Sequence, residues 1–182
     1  MITFIQASAT PIVGFLTIMS NIIFVILLVV ILSHAGSRAH IRGFVHRNVL
    51  QLLFWATIAA VVGSLAYSEI VGFPACDLCW IQRMFMYPQA ILLFIAMQRK
   101  DRGIVDYLLP LSIIGGLVAL YHSFVQWGWN TPTLACTGAG GACAKVYVLA
   151  YGYITIPFMS LTVFAFLIGI TFVYYHAKKY HD

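Results

Sequence analysis

Residues 107–127 read YLLPLSIIGGLVALYHSFVQW and contain no Asp, Glu, Lys or Arg. A helix over this stretch rises about 30 Å, the depth of a bilayer's hydrocarbon core. Working outward, residues 11–32, 48–68 and 151–175 are uncharged in the same way, and 80–98 is interrupted only by Arg83. The basic residues lie between these stretches: Arg38, Arg42 and Arg47 before the second, Arg99, Lys100 and Arg102 after the third, Lys178 and Lys179 after the last. The pattern predicts an all-α membrane protein with five transmembrane helices.

Of the 182 residues 62% are hydrophobic and 8% are charged, and the mean hydropathy is +0.95. Ten Lys and Arg with five Asp and Glu cannot solvate a globule of this size, which excludes soluble-enzyme, nucleic-acid-binding and disordered classes. The net charge of +5 therefore records orientation in the bilayer. Eight of the ten basic residues fall on one side of the five spans, and the positive-inside rule makes that side, with the C-terminus, cytoplasmic. The N-terminus and the segments 69–79 and 128–150 then face outward, with Trp80, Trp127 and Trp129 near the outer interface. The first span lacks the basic start and small-residue cleavage site of a secretory signal and is expected to be retained. Pro88, Pro110 and Pro157 fall in or near spans, where neighbouring helices can repair a kink.

All four cysteines fall in the two outward segments. Cys76 and Cys79 form a C-x-x-C, and Cys136 and Cys143 bracket the small Gly-rich run Thr-Gly-Ala-Gly-Gly-Ala. That is the side on which disulfides persist. Structural staples are one reading, although cross-linking such short loops removes little chain entropy. Four thiolates for zinc are another, but a six-residue spacing in a Gly-rich loop lies outside the usual knuckles. Redox exchange fits better.

The C-x-x-C stands at the start of the third span. A helix beginning near Cys79 aims its unpaired N–H groups at the sulfur and favours the thiolate, the species that attacks disulfides. Arg83 lies one turn further on, on the face of Cys79, where its guanidinium lowers a thiol pKa and can donate to a carbonyl oxygen at the membrane edge. Trp80, Met84, Phe85 and Tyr87 would surround a flat apolar redox ligand. Snorkelling to the interface is the plainer reading of Arg83. His122, within the fourth span, stands where it could hydrogen-bond a polar group of such a ligand, or be satisfied by a neighbouring helix. Glu69 ends the second span, and His34, His40, His46, His176 and His181 flank basic residues without metal-ligand spacing.

The string from Cys76 to Pro88, CDLCWIQRMFMYP, resembles the signature of the DsbB/BdbC family of membrane disulfide-bond formation proteins. The second cysteine pair and the run GYITIPFM at 152–159 resemble that family as well. The resemblance extends from about residue 48 to 175. It implies a four-helix redox domain over 48–182, with 1–47 an extra N-terminal transmembrane helix and basic cytoplasmic loop that a four-helix member lacks. The short second loop resembles the BdbC branch, so a partner surface carried by the longer DsbB loop is expected to differ.

The resemblance implies catalytic roles for Cys76, Cys79, Cys136 and Cys143, disulfide pairs Cys76 with Cys79 and Cys136 with Cys143, and a quinone site involving Arg83 and His122. A DsbA-like thioredoxin-fold thiol oxidase is the implied partner, with ubiquinone or menaquinone as acceptor in a bacterial cytoplasmic membrane. Electrons would pass through Cys136–Cys143, then Cys76–Cys79, to the quinone. A vitamin-K-epoxide-reductase-like oxidase also couples cysteines to quinone, but its membrane-entrance C-x-x-C comes late, and here that motif comes first. A non-enzymatic bundle with static disulfides is the remaining alternative.

Overall fold

The computed structural model describes residues 35–129 and 143–178, together with the isolated positions 15, 18, 19, 22 and 26. Helix α1 spans Ala35–Leu65 and continues into a π-helical turn, Ala66–Ile70; α2 is Asp77–Arg99, α3 Ile104–Gln126 and α4 Ile156–Lys178. All four are long and apolar enough to cross a bilayer. Where no water can serve the backbone, segments of this length satisfy their N–H and C=O groups only as helices. The expected first span, 11–32, otherwise falls outside the described residues.

Each helix packs on two others, α1 on α2 and α4, and α3 on α2 and α4, which closes a four-membered bundle. The α2–α3 connection is a tight turn in which Lys100 adopts φ +54° and Gly103 N–H donates to Asp101 Oδ1 at 2.8 Å. A link this short makes its two helices antiparallel. At the same end, Tyr175 Oη donates to Asp106 Oδ1 at 2.6 Å, and the rings of His46 and Tyr174 stack at 5.5 Å. Arg42, Arg47, Arg99, Lys100, Arg102 and Lys178 thus lie at one end of the bundle, and Cys76, Cys79 and Cys143 at the other.

The segment carrying Arg38, Arg42 and Arg47 was expected as a loop but is helical from Ala35. The helix bends at Asn48, whose φ of −112° and ψ of 16° leave the helical region while its Nδ2 donates to Phe44 O at 2.9 Å. Its charges removed it from any apolar window, yet Val45 and Val49 on its inner face are buried in the main core. Pro88 and Pro110 lie inside α2 and α3 without ending them. Pro157 sits in the first turn of α4, where a missing N–H costs nothing.

The core runs through Val49, Leu53, Leu93, Leu108, Phe164 and Leu167. Large apolar side chains such as Trp55, Met84, Ile91 and Leu117 are exposed, as expected of a surface solvated by lipid. Between α2 and α3, Ser112 Oγ donates to the buried Gln89 Oε1 at 3.0 Å, a polar clasp of the kind membrane helices use. Between α3 and α4, a methyl group on Gly115 would overlap the Phe164 ring, which is fully buried and cannot swing away. Gly115→Ala is therefore expected to cost about 1–3 kcal/mol of stability in detergent unfolding. Gly43→Ala, with nothing within 4 Å, is the control and should be neutral or gain up to about 1 kcal/mol.

Candidate functional site

Cys76 is the N-cap of α2, with φ −79° and ψ 172°, and Cys79 lies in the first turn. The cap conformation turns the chain so that both sulfurs meet, 3.0 Å apart and as free thiols. Asp77, also in the first turn, favours the helix dipole.

His122, fully buried on α3, stands beside Cys76. Its Nε2 is 3.1 Å from the Cys143 carbonyl oxygen and 3.7 Å from Cys76 Sγ, and its Nδ1 is 3.0 Å from Gln82 Nε2. A carbonyl can only accept, so Nε2 carries the proton, and Nδ1 then accepts from the Gln82 amide. Either thiol could donate across the sulfur pair. The imidazole stands on the Cys76 side, which places the thiolate on Cys76 and leaves the S–H on Cys79. Cys76 is accordingly held well below the usual thiol range, chiefly by the Cys79 hydrogen bond, against the effect of burial and with help from His122. The sign predicts that reduced Cys76 remains a thiolate on acidification. Its alkylation by iodoacetamide should change less than about twofold between pH 8 and pH 6, where an ordinary thiol of pKa about 8.5 slows nearly a hundredfold.

On the other side, Cys76 and Cys79 open on a cavity of about 430 Å³ between α1, α2 and α4. Gln82, Arg83, Met86 and Tyr87 line it, the positions that helical periodicity puts on one face with Cys79. Trp80, Met84 and Phe85, expected around a ligand, do not line it: Trp80 and Met84 point outward, because they belong to another face. Tyr67, Phe73 and Tyr147 form an aromatic wall, with ring centroids 6.1 Å apart for Tyr67–Phe73 and 5.1 Å for Phe73–Tyr147.

Arg83 does not simply snorkel. Its Nε donates to Ser64 Oγ at 3.0 Å and its Nη2 to the Ser64 carbonyl at 3.1 Å, while the guanidinium lies 5.1 Å from the Trp80 ring centroid. These bonds tie α2 to α1 across the cavity.

The structure thus brings Cys76, Cys79 and Arg83 to one cavity. Of the two readings of His122, the geometry matches a histidine satisfied by a neighbouring helix: it does not line the cavity, and its ring nitrogens are engaged by Gln82 and the Cys143 backbone. Cys143 is disulfide-bonded and buried beside Cys76 and Leu78, and Cys136 lies outside the described residues. Ser64, Tyr67 and Gln82 escaped sequence reasoning. Gln82 sat inside the quoted motif, three residues from Cys79, while Ser64 and Tyr67 carry no local signal.

Donor atoms of Cys76, Cys79 and His122 lie within 4.8 Å of one another. Two thiolates on one tetrahedral zinc stand about 3.8 Å apart. The 3.0 Å sulfur separation is closer and suits a pair that bonds to itself.

Comparison with known proteins agrees with this chemistry. Residues 46–174 match the family described as disulfide bond formation protein DsbB. The SPbeta prophage-derived disulfide bond formation protein B of Bacillus subtilis is 40% identical over 124 residues, 68% of this chain and 83% of that protein. Probable disulfide formation protein C of Bacillus cereus is 40% identical over 123 residues, 65% and 85% of the two chains. For the probable disulfide formation protein of Coxiella burnetii the identity is 40% over 118 residues, 63% and 80%. No solved structure matches. Since the match runs from just before the bend in α1 almost to the end of α4, around a paired thiol at a span entrance, the chain belongs to the DsbB family as a multi-pass membrane disulfide-bond formation protein.

Proposed function

We propose that this protein is a thiol:quinone oxidoreductase of a bacterial cytoplasmic membrane that reoxidises a DsbA-like, thioredoxin-fold thiol oxidase outside the cytoplasm. The partner's dithiol becomes a disulfide as Cys136–Cys143 is reduced; Cys136–Cys143 is restored by reducing Cys76–Cys79; and Cys79 passes the electron pair to ubiquinone or menaquinone. The observation that carries this reading is the setting of Cys76–Cys79, between the buried Cys143 on one side and an apolar cavity among the spans on the other.

The residues fit the acceptor. The cavity is aromatic-walled and suited to a planar ring, and Arg83 supplies a fixed cation one turn from Cys79. A quinone bound there supplies the terminal acceptor for two electrons and two protons. A stabilised Cys76 thiolate favours the reduced form of its pair, which draws electrons from Cys136–Cys143. His122 holds the Cys143 backbone beside Cys76, so the exchange that joins the two pairs runs between neighbouring sulfurs.

Two measurements test the reading. Under anaerobic conditions the purified protein should reoxidise a reduced thioredoxin-fold oxidase only when quinone is added, with one quinol formed per disulfide. Impermeant maleimide should reach reduced Cys76 and Cys143 only from outside the cell; labelling confined to the cytoplasmic side would sink the proposal, which needs an oxidising compartment.

A further inference from the structure

Four buried side-chain oxygens find no hydrogen-bond partner among the described residues: those of Tyr67, Tyr87, Gln126 and Thr155. Three of these residues, Tyr67, Tyr87 and Gln126, line the same cavity. An unpaired polar atom away from water is costly, and inside a membrane no solvent relieves it. Such atoms clustered on one cavity mark a ligand that supplies their partners.

The two tyrosines line the cavity from different elements, each hydroxyl buried at its wall. Tyr87 stands two turns below Cys79, so Cys79, Arg83 and Tyr87 form one stripe along α2, about 12 Å from end to end. Tyr67 faces the cavity from the π turn Ala66–Ile70, the kind of helical irregularity that accompanies functional sites. Its ring is held by Phe73, which fixes where the hydroxyl stands. A phenol donates to a carbonyl oxygen, whereas the free Gln126 oxygen only accepts and cannot serve a quinone carbonyl.

We propose that Tyr67 and Tyr87 are quinone-binding residues, their hydroxyls donating hydrogen bonds to the carbonyl oxygens of the quinone. The assignment rests on the quinone reading above. It makes these two positions determinants of affinity for the ring, separate from the Arg83 cation near the thiols.

The test uses the full-length protein in detergent, stripped of endogenous quinone, with a short-chain ubiquinone and with menadione as probes. Tyr67→Phe, Tyr87→Phe and the double variant are compared with wild type by equilibrium binding and by melting temperature with and without probe. Each single variant should weaken probe binding about two- to tenfold, the usual worth of one hydrogen bond, and the double variant more. Without probe the same variants should melt at the wild-type temperature or above it, since Phe removes an unpaired buried hydroxyl. The probe-induced rise in melting temperature should shrink in parallel. Wild-type affinity in both single variants overturns the assignment while leaving the quinone reading intact. A melting temperature that falls without probe, with probe binding unchanged, makes the hydroxyls structural and likewise overturns it. Absence of probe binding to wild type overturns both.

Discussion

Replacing Cys143 with Ser is expected to leave a lasting mixed disulfide between Cys136 and the soluble thiol oxidase, seen on a non-reducing gel as a band of the combined mass that reductant removes. In the proposed relay the partner attacks Cys136, and Cys143 is the thiolate that would resolve the intermediate. Serine cannot, and unassisted exchange then takes minutes to hours. Because His122 binds the backbone carbonyl of Cys143 and not its sulfur, the substitution keeps that contact. Cys79→Ser should behave differently, abolishing quinone reduction while Cys136–Cys143 still accepts one electron pair. Trapping at Cys76 would reverse the order of the two pairs, and full turnover without Cys136 and Cys143 would reduce the second loop to a staple.

The second large effect is expected at Arg83. Arg83→Ala should raise the quinone concentration for half-maximal rate by about tenfold to a hundredfold, the scale of one charge-assisted hydrogen bond lost from a water-poor site. It also releases Ser64, so α1 and α2 lose a clasp and the melting temperature should fall. Arg83→Lys should recover part of the quinone dependence, since it keeps the charge without the planar fork. A lower melting temperature with unchanged quinone dependence would leave Arg83 as the clasp alone.

The four described spans were legible because charges punctuate them. The helical reach of α1 through Arg38, Arg42 and Arg47 was not, because its inner face is set by α4, through Val45 and the His46–Tyr174 stack. Within α2 the chemistry could be read from spacing, since Cys79, Gln82, Arg83, Met86 and Tyr87 share a face by periodicity alone. Trp80 and Met84 were misassigned for want of that same rule. Ser64 and Tyr67 became visible only when α1 packed against α2, and the π turn that carries Tyr67 has no composition that announces it. His122 could be recognised as a buried polar group, but its direction depends on where the loop of Cys143 docks, which no local pattern encodes.

That docking has a kinetic consequence. A cysteine loop tethered only at its ends reaches an internal target at an effective concentration in the millimolar range. In the proposed relay the His122 hydrogen bond holds the loop at the backbone carbonyl of Cys143 itself, which shortens the search of its sulfur for Cys76. Internal transfer along that relay is then expected to depend on the Gln82–His122–Cys143 chain of hydrogen bonds and not on a search by the whole loop.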